Sequence, residues 1–567
     1  MIYFVAAVAG IAGILFGFDE GIIAGALSLL RGEFGITPLD EGLMTAAVPF
    51  GALFGALIAG RASERFGRRA LLLWAAILFI LGAVFSALIT AIWMLSLARL
   101  MLGVAVGVAA LVAPLYISES APPAKRGMLV SIYQLAITLG ILSAYLVSFA
   151  FDHSWSLMFM MGALPGIALF FGMYVLHDTP RWLALKGRQP EARAAMARLH
   201  GVSPDAPAIT AELADINRTA QSDRHAASWA DLLTPSVRPA LIVSVGLFLL
   251  QQLSGINAVI YYAPTVFKET GFDSHATQIL ATIGVGVVNV AMTVVGMMLI
   301  DRIGRRRLLL IGFAGTALSL GLIAVGAVTE AKSLDMLALG GLVLYIAAFA
   351  ASIGPLPWVM MSEIFPLHAR GLGMSVASLA NWGFNFIVVF SFPVLVSSLG
   401  LGGVFAIYTL ACLIGILFTL KLVPETNGVS LEEIERHLKS GRPLRLLGQA
   451  PHDRGDQAGT TGASPGGLAP RHDTGMLIRA LISLGPYQSV LMPLADQVTR
   501  IALENHQVRG ALQSVSIRTN FENTGRLSAT DLGSEAATLK AFLEHVRFAS
   551  PAFLESVGEL PAGGKRG

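Results

Sequence analysis

Twelve apolar runs of about 20 residues follow one another along this chain, and that feature limits it to a membrane-spanning helical fold. They fall near 3–30, 42–60, 70–89, 92–116, 128–149, 157–176, 240–267, 276–300, 307–328, 335–360, 371–396 and 402–422. Composition agrees: 55% of the 567 residues are hydrophobic and 13% charged, against roughly 25% charged in soluble proteins. The 60 glycines suit helices that pack closely in lipid. A formal charge of +3 is too small to imply a nucleic-acid partner. The one cysteine, Cys412, excludes an internal disulfide and reads as a packing residue in an apolar run. Residues 2–30 lack a basic n-region, run too long and carry two acids, so they do not read as a cleavable signal.

Loop charges orient the spans. With the N-terminus inside, the short inner loops hold eleven basic residues: Arg61, Arg65, Arg68, Arg69, Lys125, Arg126, Arg302, Arg305, Arg306, Arg307 and Arg370. The outer loops hold three, namely Arg31, Lys268 and Lys332. That asymmetry is a positive-inside signal, and an even number of spans puts both termini in the cytoplasm. The polar segment 177–239 is then cytoplasmic, and "PEARAAMARLHG" and "ITAELADINRTA" within it read as short amphipathic helices. Residues 443–475 have the composition of a linker. Residues 476–567 carry amphipathic patterns but no motif with assignable chemistry, and a weakly helical tail and a small domain both remain open.

The chain repeats itself. "ERFGRR" (64–69) returns as "DRIGRR" (301–306), and "ESAPPAKRG" (119–127) returns as "EIFPLHARG" (363–371) with the spacing E-x-x-P-x-x-x-R-G. Each copy of the second repeat follows the fourth span of its set of six. The division this predicts is 1–176 as one six-helix half, 177–239 as a cytoplasmic helical linker, 240–442 as the second half and 443–567 as a tail. Two repeated halves around a central site are a recurring transporter plan.

Seven motifs in order resemble the sugar porter family of the major facilitator superfamily, over roughly residues 5–445. They are G-x-x-x-E-R-x-G-R-R at 60–69, P-x-Y-x-x-E-x-x-P-x-x-x-R-G at 114–127, "DTPRWL" (178–183), "QQLSGINAVIYYAP" (251–264), "DRIGRR", "PWVMMSEIFPLHARG" (357–371) and "VPETNGVSLEEIE" (423–435). The last of these and "YQLAITLGIL" most resemble bacterial galactose/proton symporters. The resemblance implies an all-α membrane protein with the major facilitator fold, working by alternating access in a bacterial inner membrane. It implies sugar-binding positions at Phe16, Gln134, Gln251, Gln252, Asn257, Tyr261, Gly354, Trp358, Asn381 and Trp382. Ile141 stands where xylose-specific relatives carry a second glutamine, which points toward hexoses such as galactose or glucose, with pentoses still open. The expected partners are a monosaccharide, a proton and the lipid bilayer, for a monomer with no cofactor and no metal. No metal-ligand spacing, nucleophile elbow or phosphate loop suggests an enzyme.

The residues themselves support a polar path. On an unbroken helix Gln252 and Asn257 lie roughly 140° apart, so they converge on one ligand only if the helix unwinds, and Gly255 between them permits that. Amides offer both donors and acceptors to sugar hydroxyls, and Trp358 and Trp382 offer faces for a pyranose ring. Trp93 and Trp155, at loop edges, read as interfacial belt residues. Glu64, Arg65, Arg69, Asp301, Arg302 and Arg306, with Glu119–Arg126 and Glu363–Arg370, read as a breakable cytoplasmic gate.

Asp19 and Glu20 interrupt the first span. A charge at mid-bilayer costs several kcal/mol, so it marks function or a partner. Asp19 lies roughly 17 Å, and Arg99 of the fourth span roughly 10 Å, below the outer end, within reach of a long side chain. On geometry alone this could be a permanent ion pair. The resemblance implies more, because proton-coupled members of the family carry an aspartate at this position where vertebrate facilitators carry an asparagine, so Asp19 and Arg99 read as the proton-coupling pair. Relatives usually carry an uncharged residue at position 20, and Glu20 has no assigned role. A uniporter with a structural Asp19 and a sugar sensor acting through the tail are the competing readings.

Overall fold

All twelve runs form helix in a computed structural model of the chain. It describes residues 2–447 except 122–125, 204–205, 208, 212, 215, 217–228, 332, 367–368, 430 and 441, together with residue 478 and residues 538–544. Two compact units divide at Pro451. In the second, residues 538–544 are helical, and the other patterns expected there lie outside the described residues.

The first unit begins with α1 (Ile2–Phe34), α2 (Pro38–Phe66), α3 (Arg68–Ala87), α4 (Ile92–Ser120), α5 (Arg126–Ala150) and α6 (Trp155–Val175). Two short helices follow on the connecting segment, α7 (Pro180–Leu185) and α8 (Gln189–His200). The second set runs α9 (Arg238–Leu253), α10 (Ile256–Glu269), α11 (His275–Ile303), α12 (Arg305–Val328), α13 (Leu334–Ala348), α14 (Leu356–Ile364) and α15 (Arg370–Lys421), followed by α16 (Leu431–Lys439). Among the described residues, eleven helical stretches are long and apolar enough to cross a membrane. At 1.5 Å per residue the 52 residues of α15 would extend about 78 Å, more than twice the hydrocarbon thickness. Gly400 breaks it, with φ 68° and ψ 168°, into two parts of spanning length that match the runs read from the sequence.

Local chemistry explains several boundaries. Thr37 accepts from the Asp40 amide at 3.2 Å while Asp40 accepts from the Thr37 amide at 3.0 Å, a reciprocal cap that starts α2. Gly201 in the left-handed region ends α8, the first of the two expected amphipathic helices; much of the second lies outside the described residues. Close packing explains others. A Cβ on Gly17 would sit 1.9 Å from the Ile137 carbonyl oxygen, and one on Gly140 would sit 2.4 Å from that of Ile14, so α1 and α5 touch backbone to backbone. Trp74, Phe171 and Val328 are among the large apolar side chains left exposed on the outside, where lipid is their solvent.

Candidate functional site

Two spans are interrupted where the polar residues gather. Gly255, at φ 86° and ψ 14°, separates α9 from α10, and a π-helical turn at Phe349–Ile353 separates α13 from α14. The glycine break lets Asn257 Nδ2 donate to Gln252 Oε1 at 2.7 Å, while Gln252 Nε2 donates to Asn381 Oδ1 of α15 at 2.7 Å. The expected convergence of Gln252 and Asn257 is therefore present, through the local unwinding that Gly255 allows. Gln251 does different work. Its Nε2 donates to the carbonyl oxygens of Ile353 (2.8 Å) and Gly354 (2.9 Å), groups the π turn leaves without regular helical partners.

Aromatic residues border these amides. Phe16 of α1 meets Trp382 of α15 with ring centroids 5.3 Å apart, and Trp358 packs edge-on to Phe248 at 4.9 Å. Trp382 is fully buried, whereas Trp358, Phe16 and Gln134 are half-buried. Tyr261, also buried, donates its hydroxyl to Glu20 Oε1 at 3.3 Å. Phe16–Trp382 and Glu20–Tyr261 both join the first six spans to the second six. Asn385, one turn beyond Asn381, escaped the sequence reading. It is buried, and its Oδ1 has no hydrogen-bond partner among the described residues. The spacing N-x-x-x-N was the available signal.

Asp19 and Arg99 do meet: Arg99 Nη1 lies 3.5 Å from Asp19 Oδ1, with 0% and 2% of the side chains exposed. Arg99 Nε donates to the Met44 carbonyl at 3.0 Å. Asp19 Oδ2 and Arg99 Nη2 are buried with no hydrogen-bond partner among the described residues.

At the arginine-rich end, one polar cluster occurs twice. Arg68 Nη2 pairs with Glu119 Oε1 at 2.8 Å, and Arg305 Nη2 with Glu363 Oε1 at 3.0 Å. Thr179 donates to Glu119, and Thr426 donates to Glu363. Asp178 accepts the amides of Arg68 (2.8 Å) and Arg69 (3.1 Å) at the start of α3, and Glu425 accepts those of Arg305 (2.9 Å) and Arg306 (3.1 Å) at the start of α12. A carboxylate there satisfies free helix N–H groups and faces the positive end of the dipole. A Cβ on Gly67 would lie 2.3 Å from Asp178 Oδ2, and one on Gly304 would lie 2.6 Å from Glu425 Oε2, which explains the glycine fixed before each arginine pair.

This rearranges the expected gate. Glu363 forms its ion pair with Arg305 rather than with the arginine expected, Arg370, whose Nη2 points to the Phe365 carbonyl at 3.5 Å. Glu119 holds Arg68, while the side chain of Arg126 lies outside the described residues. Glu64, Arg65 and Arg302 are exposed. Asp301, also exposed, pairs with Arg305 at 3.0 Å. Arg69 and Arg306 donate to carbonyls at the ends of α6 and α15. Trp155 also differs from the belt reading: it is buried, and its Nε1 donates to Glu33 at 2.6 Å.

At the opposite end the two sets of six are in contact. A Cβ on Gly42 would lie 2.5 Å from the Phe390 carbonyl oxygen, the Phe50 and Phe386 rings are 5.1 Å apart, and Arg31 joins Glu41 (2.6 Å) to Thr265 (3.4 Å).

Comparison with known proteins adds three kinds of finding. The model of the family "Sugar (and other) transporter" matches residues 5–438. The galactose-proton symporter of Escherichia coli is 40% identical over 455 residues, covering 79% of this chain and 97% of that protein. The D-xylose transporter of Levilactobacillus brevis is 39% identical over 435 residues, covering 76% and 94%. Among solved structures, an inward-open xylose transporter from Escherichia coli matches with a TM-score of 0.67 at 30% identity, covering 77% of this chain and 99% of that one. A proton:xylose symporter bound to 6-bromo-6-deoxy-D-glucose matches with a TM-score of 0.65 at 33% identity, covering 77% and 98%.

Proposed function

The chain belongs to the sugar (and other) transporter family, and from that premise we propose that it imports a monosaccharide, a hexose such as galactose or glucose, together with a proton. It is a multi-pass membrane protein with the major facilitator fold, and its relatives are transporters. The observation that carries the proposal is the buried Asp19–Arg99 pair, set in a span whose neighbouring residues, Phe16 and Glu20, reach Trp382 and Tyr261 of the sugar motif.

The proposed cycle uses these groups in turn. A proton entering from outside bonds to Asp19 and releases Arg99. The sugar is held by Gln252, Asn257 and Asn381, with Gln251 Oε1, Gln134 and Tyr261 beside them, Gly354 lining the site and Trp358, Trp382 and Phe16 against the ring. The contacts at Gly42 and Phe50 close the outer end, the paired clusters at Arg68 and Arg305 loosen the inner one, and both passengers leave inward. Basic residues concentrated in the loops at one end support a cytoplasmic position for that end and for both termini, in a bacterial inner membrane. Division into 1–176, 177–239, 240–442 and 443–567, and action as a monomer, belong to the same reading.

Sugar uptake into membrane vesicles under an imposed proton gradient tests this. Asp19→Asn, which keeps the shape but cannot titrate, is expected to abolish uphill accumulation and to retain counterflow exchange. Uphill accumulation in that variant would remove Asp19 from coupling. Downhill transport without proton movement in the unaltered chain would make it a uniporter.

A further inference from the structure

The first span places a second carboxyl beside the coupling pair. Glu20 is 4% exposed, against 2% for Asp19 and 0% for Arg99. Neighbouring helical residues point about 100° apart, so the two acids on α1 address different partners. Asp19 faces Arg99 on α4, while Glu20 accepts from the Tyr261 hydroxyl on α10. The other titratable groups that interact with Glu20 are Tyr133 and Tyr145 of α5. Tyr145 donates to the Ile260 carbonyl at 3.0 Å, and Tyr133 Oη is buried with no hydrogen-bond partner among the described residues. The cluster thus holds two acids and one guanidinium.

We propose that Glu20 is a positioning residue of the coupling site: its carboxylate next to Asp19 favours loading of one proton there, and the hydrogen bond from Tyr261 ties that site to the sugar. Charge balance is the argument. With both acids ionised the cluster carries one net negative charge, and one added proton makes it neutral. With Gln at position 20 the unloaded Asp19–Arg99 pair is already neutral and no second carboxylate opposes the charge on Asp19, so the same proton is harder to add and leaves a net positive charge in a buried site. The only bond formed on loading is O–H at a carboxylate, with the proton taken from water on one side and returned to water on the other. The hydrogen bond from Tyr261, itself a sugar position, makes the balance sensitive to sugar, and linkage requires the reverse as well.

This rests on the symport reading, and the test separates the two. Proton-driven uptake of labelled galactose into vesicles is measured from pH 5 to 9 for the unaltered chain, Glu20→Gln and Glu20→Asp. Glu20→Gln is expected to shift half-maximal uptake about one pH unit or more toward acid, a tenfold change in proton concentration, while exchange at pH 5.5 stays within about threefold. Glu20→Asp, which keeps the charge, is expected to restore most of the original profile. An unchanged profile in Glu20→Gln, with Asp19→Asn uncoupled as expected, overturns the role of Glu20 and leaves symport standing; an Asp19→Asn variant that still accumulates sugar overturns symport itself. A second measurement needs no position-20 variant. Infrared difference spectra of the unaltered chain on sugar addition are expected to show carboxyl bands beyond those removed by Asp19→Asn, and loss of every such band in Asp19→Asn counts against Glu20.

Discussion

Gln252 joins both halves of the broken helix to α15, accepting from Asn257 at 2.7 Å and donating to Asn381 at 2.7 Å. Its amide therefore keeps two other amides pointed into one space. Replacing it with alanine removes one partner from each and leaves both buried. A lost pair of such bonds is worth about 1–3 kcal/mol. Gln252→Ala is expected to weaken sugar binding by about 5- to 150-fold, read by calorimetry in detergent. Unchanged affinity would place the sugar elsewhere.

Gly255 makes that arrangement possible and gives an independent check. Its φ of 86° suits glycine, and a Cβ there would lie 2.3 Å from the Tyr408 ring. Gly255→Ala is expected to lower thermal stability in detergent and sugar affinity together, since left-handed strain alone costs about 1–2 kcal/mol. A variant with normal melting and normal affinity would show that the break is not needed.

The sequence exposed these features because each is local. An acid in an apolar run and a glycine between two amides announce themselves within a few residues. The inner clusters were only half legible. Which arginine of "ERFGRR" turns inward depends on where α3 starts, and that start is fixed by Asp178, 110 positions away from Arg68. The buried state of Trp155 likewise depends on Glu33, 122 positions away. Asn385 shows the opposite failure: its spacing from Asn381 was visible, but only burial distinguishes it from a surface amide.

The Arg68–Glu119 pair invites a double-mutant cycle. Both side chains are 7% exposed, so removing either partner leaves a buried charge. Arg68→Ala and Glu119→Ala are each expected to destabilise the protein, and the double variant is expected to lose less than the sum. The interaction energy should fall at about 1–3 kcal/mol from melting in detergent. Strict additivity would show that the pair contributes no coupling. The same cycle at Arg305 and Glu363 should behave alike, with a smaller value because Glu363 is 24% exposed.

His177 supplies a pH prediction on the connecting segment. Burial, then the guanidinium groups of Arg198 and Arg69, hold its pKa below the ordinary 6.5, with Glu191 opposing. Arg198 Nη1 lies 2.7 Å from its Nε2. A depressed folded value means the fold favours the neutral ring. The stabilisation is therefore present above pH 6.5 and is lost as pH falls through the lower folded value. Hydrogen exchange in α8, corrected for its intrinsic pH dependence, is expected to rise as pH falls below about 6, and His177→Gln is expected to remove most of that rise. An identical rise in His177→Gln would assign the change to another group.

The tail separates a transporter from a sensor. The first unit ends at Pro451, and the matched family model ends earlier, at residue 438. Leu444 and Leu447 are buried in the core of that unit, at 5% and 4% exposed, so a clean truncation must keep them. The residues assigned to sugar, proton and inner cluster all precede Pro451. Truncation after Pro451 is expected to leave a folded, inserted protein whose proton-driven uptake is within about twofold of the full chain at equal membrane abundance. A sensor predicts weak transport in both forms and loss of a cellular sugar response on truncation. Uptake and membrane abundance measured side by side decide between them. If truncation abolishes uptake while abundance is unchanged, the tail takes part in the transport cycle and the division at 442–443 is wrong.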